Sequence, residues 1–275
     1  MAIAASCTDT NTDTISTQGF SECYAVVTDA TTGEQTVSFP VKVALELNWT
    51  QTTAAASYSG LVIDGNTYPQ MLLNDLKWTT DQLWGYTTNN PSALLTTGAT
   101  PKITDFNFRW SDRLDMPGYD QFTYDPAFVF GFKLDDRYTL KGARIPFSLW
   151  GTTTASAPGV NSFTSEVNNI VATPNFSKMT MTVLVNGAQF ASAMPALNIQ
   201  IDNIPMKIVN DGESFTFEAD EIIPTLAGTP YPNYPCSNIK GTLNPREGMT
   251  FSFDCSVMQR MVYTVTTSPT VFGYR

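Results

Sequence analysis

The chain has 275 residues, 42% of them hydrophobic and 12% aromatic, which is enough for one large or two ordinary domains and too apolar for a disordered tail. Its formal net charge of −10 argues against nucleic acid or an anionic membrane surface as a partner, and the absence of histidine removes Ser-His-Asp, Cys-His and His-ligated metal chemistry. Only 15% of residues are Asp, Glu, Lys or Arg, against roughly 25% in a typical soluble domain. Threonines, by contrast, number 39. A surface so poor in charge suits a chain that hides much of it in contacts, because interface cores are depleted in charged residues.

Residues 1–20 are polar and Thr-rich without an apolar pattern, and they are read as an extended arm. The first residues, Met1 to Cys7, have neither the charged nor the apolar region of a secretory signal. No Lys or Arg precedes Lys42, so the arm lacks the basic character that would hold a packaged genome. No apolar run approaches the ~18 residues needed to cross a bilayer, so membrane insertion is not expected.

From there period-2 alternation dominates. Val41, Val43, Leu45, Leu47 and Trp49 alternate with Lys42, Ala44, Glu46, Asn48 and Thr50, which predicts a strand with one buried face. The pattern returns at Phe106, Phe108 and Trp110, at Phe128, Phe130 and Phe132, and at Met179, Met181, Val183 and Val185. It continues at Leu197, Ile199 and Ile201, at Phe215 and Phe217, at Phe251 and Phe253, and at Tyr263 and Val265. Trp49 and Trp110 are therefore expected in the core. Asp64-Gly65, Asn186-Gly187 and Asp211-Gly212 separate the runs as turn or hairpin signals. Helical spacing is weak and confined to Gln70–Leu76 and Ser165–Val171. Gly151 to Gly159 has linker composition, and residues 224–235, with Pro224, Pro230, Pro232 and Pro235, read as a stiff extended loop.

Four short matches recur in order at offsets of 122 to 129 residues. Ile63-Asp64-Gly65 with Tyr68 matches Val185-Asn186-Gly187 with Phe190, and Phe122-Thr-Tyr-Asp125 matches Phe251-Ser-Phe-Asp254. Tyr138-Thr-Leu140 matches Tyr263-Thr-Val265, and Trp150-Gly151 matches Phe272-Gly273. The expectation is an all-β chain of two tandem, duplicated antiparallel β-sandwich or jelly-roll-like domains related by pseudo-twofold symmetry. The arm would occupy 1–20, the first domain 21–151 and the second 152–275.

Catalytic chemistry would have to rest on carboxylates, and the tight acidic groups are Asp135-Asp136 and Glu218-Ala-Asp220-Glu221. Neighbouring strand residues face opposite ways, so Asp135 and Asp136 would not converge in a strand. No catalytic site and no cofactor are expected. Glu218, Asp220 and Glu221 supply oxygen ligands of the kind calcium takes, without the spacing of an EF-hand. The cysteines Cys7, Cys23, Cys236 and Cys255 allow three pairings, of which Cys7–Cys23 with Cys236–Cys255 is the local one; free thiols stand equally open, and no Cys-x-x-Cys suggests zinc. Candidate interface aromatics are Trp84 and Tyr86, with Tyr231 and Tyr234 on the Pro-rich loop, where a stiff backbone loses little entropy on binding.

The expected role is structural: a self-assembling building block of a shell, coat or sheet, in a virion or in a compartment wall such as a pyrenoid shell, with further copies of the chain as partners and no direct nucleic-acid contact. The alternative is a β-sandwich adhesin or a receptor- or carbohydrate-binding protein.

Overall fold

A period of two in apolar, β-branched and aromatic residues favours extended backbone with one face buried. The computed structural model describes residues 15–81, 84–87, 90–111, 127–166, 168–257 and 261–267; these form 24 strands and no helix. The protein is all-β. Of the two segments of weak helical spacing, residues 71–76 and 168–171 are strand, because neighbouring strands offer their backbone partners that a lone turn of helix lacks.

The first half carries β1 (Ile15–Asp29), β2 (Gln35–Asn48), β3 (Thr53–Ser59), β4 (Val62–Ile63), β5 (Asn66–Thr67) and β6 (Met71–Lys77). It continues with β7 (Thr79–Asp81), β8 (Trp84–Thr87), β9 (Ser92–Leu95), β10 (Ile103–Ser111), β11 (Ala127–Leu134) and β12 (Tyr138–Arg144). Its sheet runs β1-β2-β3-β6 and β7-β8-β10-β11-β12, and β12 pairs back onto β1. Only Trp78 separates β6 from β7. One bent segment therefore pairs with β3 through its first part and β8 through its last, and the sheet curls round its own core. The bend is fixed by Trp78, whose amide and indole N–H donate to the carbonyls of Thr52 and Thr53, each at 3.0 Å.

The second half carries β13 (Phe147–Gly151), β14 (Thr153–Ala157), β15 (Val160–Thr164), β16 (Asn168–Asn175), β17 (Thr180–Ala188) and β18 (Leu197–Val209). It ends with β19 (Ser214–Ile222), β20 (Thr225–Leu226), β21 (Thr229–Pro230), β22 (Cys236–Asn244), β23 (Gly248–Val257) and β24 (Met261–Thr267). The pairing runs β13-β16-β17-β18-β19-β22-β23-β24-β14, and Thr152 alone separates β13 from β14. Again a single bent segment holds both ends of the sheet.

Both halves are thus antiparallel meanders in which successive main strands pair, not the crossing connections of a jelly roll, and that part of the expectation is corrected. Short turns explain it: Asp135 and Asp136 at φ 50° and 55° link β11 to β12, and Asp64 and Gly65 at φ 52° and 73° close the separate β4–β5 hairpin. Asn186-Gly187, expected as a turn, is a bulge inside β17. The register steps from Val185↔Ile199 to Ala188↔Leu197, two residues opposing one, and Gly187 takes the left-handed φ of 79° there.

Other expectations give way to pairing. From Ile15 the chain is already a paired strand, Ile15 facing Asn48 in β2, so the arm expected over 1–20 does not extend to its end; residues 1–14 lie outside the described residues. The 151–159 linker is mostly strand, with Thr153 paired to Thr267. The Pro-rich loop holds the small β20–β21 hairpin. Trp49 is 40% exposed, since β2 ends at Asn48, whose carboxamide accepts from the amides of Thr50 and Gln51 and turns the chain. Its ring still packs edge-on against Trp78 and Trp110, centroids 4.8 and 6.2 Å away.

Each half has its own core. In the first, Tyr58, Phe106, Phe108, Phe128, Phe130 and Phe132 are buried with the aliphatic face of β2. In the second, Phe215, Phe217, Phe251 and Phe253 join Met181, Val183, Val185, Ile199 and Ile201. Both walls use one device: an aromatic ring lies over the glycine paired with it across the strands, Phe130 over Gly142 and Phe217 over Gly241, where any Cβ would enter the ring. The halves share strand β1. Cys23, Ala25 and Val27 face the first core, while Tyr24 and Val26 face the second, so all five are buried.

Candidate functional site

Two places carry functional geometry: an apolar rim at one end of the second sheet, and a polar cleft between the halves.

The rim follows from register. Ile222, Cys236, Cys255 and Tyr263 stand side by side across β19, β22, β23 and β24. One residue further out come Ile223, Pro235, Ser256 and Val262, with the Ser256 amide donating to the Pro235 carbonyl at 3.0 Å. Ile223, Tyr231, Met261 and Val262 are 41%, 37%, 39% and 51% exposed, and all belong to this end. They are four of the eleven large hydrophobic residues exposed among the described residues. The Pro-rich loop is held over it by backbone bonds, Tyr231 amide to Pro224 carbonyl at 2.8 Å and Tyr234 amide to Tyr231 carbonyl at 3.1 Å. The rings of Tyr231 and Tyr234 lie 4.9 Å apart at 37°. Tyr234 is half-buried against the core, and burial together with the neighbouring Tyr231 phenol raises its pKa.

Beneath the rim Cys236 and Cys255 are fully buried and face each other across β22 and β23. Both sulfurs lie within hydrogen-bond reach of the Tyr234 carbonyl, at 3.7 and 4.0 Å. A hydrogen bond with Cys255 and burial push the Cys236 thiol far above its ordinary pKa. Cys23 lies in the other core, its pKa pushed up to about 12 by burial, and Cys7 is outside the described residues.

The cleft, of about 690 Å3, opens between the outer face of β10, β11, β12 and β1 and the β18–β19 and β22–β23 turns. Lys141 pairs with Glu213 across it at 2.8 Å, and the Arg246 guanidinium donates to the Asn107 carboxamide oxygen. Burial and the nearby Arg109 lower the pKa of Arg246. Lys133 is paired with Asp105 at 2.7 Å. At the cleft's edge, where Asp29 lines it, Arg137 binds Asp29 at 2.7 Å and Asp64 at 3.4 Å, and the Tyr138 hydroxyl donates to Asp64. The guanidinium of Arg137 and the Thr31 amide hold Asp29 down to about 2; the bond to Asp64 and partial burial push Tyr138 up to about 12.

Of the acidic candidates, Glu221 sits beside the rim, immediately before Ile222 on β19. Glu218 and Glu221 pair along the strand with Lys240 and Ser237, all three carboxylates of β19 are exposed, and no group of three or more potential ligands close enough to hold a metal exists among the described residues. Asp135 and Asp136 occupy the β11–β12 turn, where Lys102 binds the first through its amide and the second through its ammonium. Trp84 and Tyr86 sit on β8, paired with Asp81 and Thr79 in β7, but their side chains lie outside the described residues. Of the four interface aromatics, the structure brings together Tyr231 and Tyr234. It adds Ile223, Met261 and Val262, which sequence reasoning missed; the signal was two adjacent apolar residues, Ile222-Ile223 and Met261-Val262, where alternation calls for a polar one.

No protein-family model matches the chain, and neither does any curated protein. Among solved structures, a double mutant of the vaccine antigen Transferrin Binding Protein B from Haemophilus parasuis Hp5 is 7% identical over 94% of this chain and 77% of its own, with a TM-score of 0.23. A single mutant of the same antigen is 6% identical over 93% and 76%, also at 0.23. Likeness that weak fixes neither fold topology nor function.

Proposed function

We propose that the chain is a structural building block that assembles with further copies of itself into a shell, coat or sheet, and that its two meanders descend from a duplicated unit. The observation that carries this reading is the rim, where the exposed side chains of Ile223, Met261 and Val262 gather round a proline-stiffened tyrosine pair at one end of the second half. Soluble chains rarely leave apolar patches open unless something covers them. The low proportion of charge supports the same conclusion. Duplication is supported by the common strand order and by Tyr138-Thr-Leu140 and Tyr263-Thr-Val265, which lie in the last strands of their halves, at the first residue of β12 and the third of β24. A virion coat comes first as a setting and a compartment wall such as a pyrenoid shell second.

The test is sedimentation velocity with electron microscopy at rising concentration. Ordered sheets, tubes or large particles are expected, and Tyr231→Ser should reduce them while leaving the urea midpoint in place. A chain that stays a monomer at every concentration would overturn the proposal. The cleft favours a second reading, a binding protein taking a receptor or glycan between its halves, since concave sites with convergent polar groups are the usual ligand sites. Binding on a glycan array that Arg246→Ala abolishes would establish that reading instead.

A further inference from the structure

The backbone fixes what the two buried cysteines under the rim can do. Antiparallel pairs alternate between two kinds, and the bond from the Ser256 amide to the Pro235 carbonyl identifies Cys236 and Cys255 as a non-hydrogen-bonded pair. Residues in such a pair stand with Cα atoms about 4.5 Å apart. That falls inside the roughly 4.4–6.8 Å that a disulfide spans. Both side chains point to the same core, because both residues are fully buried in it. The two sulfurs also share an acceptor, the Tyr234 carbonyl.

We propose that Cys236 and Cys255 form a reversible dithiol–disulfide pair that controls the Tyr231–Tyr234 turn. The oxidant is a small disulfide of the glutathione class. One cysteine, as thiolate, attacks it and releases one small thiol; the second cysteine then attacks the mixed disulfide, forms the Cys236–Cys255 bond and releases the second small thiol. Two electrons pass from the protein sulfurs to the small disulfide, and the two cysteine protons end on the two released thiols. Oxidation removes both S–H groups, so the Tyr234 carbonyl loses its thiol donor and the turn carrying the two rim tyrosines loosens. Because the sulfurs are buried, exchange proceeds through opened molecules or during folding, and the folded dithiol is slow to react. The consequence for assembly rests on the reading of the rim given above; the pair itself does not.

The experiment refolds the chain in glutathione buffers poised reducing or oxidising. Oxidised protein should weigh about 2 Da less per bridge, and peptide mapping should join Cys236 to Cys255. Hydrogen exchange at the Tyr231 and Tyr234 amides should be about fivefold faster in the oxidised form, the factor that loss of one weak hydrogen bond gives. Cys255→Ser, whose hydroxyl can still donate but which cannot close the bridge, should exchange like the reduced protein in both buffers. Absence of the bridge, a map joining Cys236 or Cys255 to Cys7 or Cys23 instead, or equal exchange in the two forms would overturn the proposal. None of these readings needs association, so a chain that remains monomeric overturns the assembly reading alone.

Discussion

The last strands of the two halves, β12 and β24, occupy the same place in the same meander, yet their openings are finished in opposite ways. At β12 the chain enters through Arg137 and Tyr138, which are tied to Asp29 and Asp64 by ion pairs and a hydroxyl bond, with the guanidinium 4.6 Å over the tyrosine ring. At β24 it enters through Met261 and Val262, both exposed, beside the Tyr231–Tyr234 loop. The meander can evidently be sealed with charge at this position, so the apolar rim of the second half is not imposed by the fold. That contrast supports the proposal that a contact with another copy would form at the rim and not at the first half's corresponding end.

The largest effect should come from what the halves share. Tyr24 is buried in the joint, its ring 5.5 Å from that of Phe215 and 4.9 Å from that of Phe176. Tyr24→Ala should cost about 3–5 kcal/mol, read from urea unfolding, because a buried aromatic is lost at a site packed on both sides. Loss confined to one half, seen as two separate unfolding transitions, would break the idea that β1 couples them. Next come the paired glycines. Gly142→Ala and Gly241→Ala each force a methyl into a ring and should cost about 1–3 kcal/mol or more. Similar losses would sharpen the equivalence of the two walls; a large loss at one and none at the other would break it.

Much of this was legible in the residues, for identifiable reasons. Alternation at Val41–Leu47 and Phe128–Phe132 marks strands with one buried face because side chains on successive strand residues point opposite ways. Cys23-Tyr-Ala-Val-Val27 does not alternate, and a continuous apolar run of that kind belongs to a strand buried on both faces. Trp49 extends the β2 alternation by one residue past the Asn48 turn, where side-chain capping outweighs the pattern. The proline spacing pointed to Tyr231 and Tyr234, but Met261 and Val262 join them through strand register, which local sequence does not specify. The same is true of Cys236 and Cys255: their spacing allows a pairing, while the kind of backbone pair they occupy comes only from the assembled sheet.

Acid should distinguish the two strand openings. Asp29 has a folded pKa of about 2 against an ordinary 3.8, so its ion pair contributes fully above pH 3.8 and is lost as pH falls toward 2. Arg137→Gln should remove this part of the acid limb while leaving the neutral-pH midpoint only slightly lower, since the guanidinium is half exposed and screened by solvent. An unchanged acid limb in the variant would show that the network does not seal β12 as described.

The smallest effect on stability, and the most telling for function, should come from transplanting one finish onto the other. Val262→Arg places a guanidinium immediately before Tyr263 and so gives β24 the Arg-Tyr pair that Arg137 and Tyr138 form in β12. Val262 is exposed, so the change in unfolding free energy should stay within about 0.5 kcal/mol. Self-association should nonetheless fall sharply, because a charge placed at the centre of an apolar contact must be desolvated without a partner. Undiminished assembly by sedimentation would move the contact surface away from the rim. Lost assembly with an unmoved urea midpoint would separate the side chains that build the second half from those it presents to another copy.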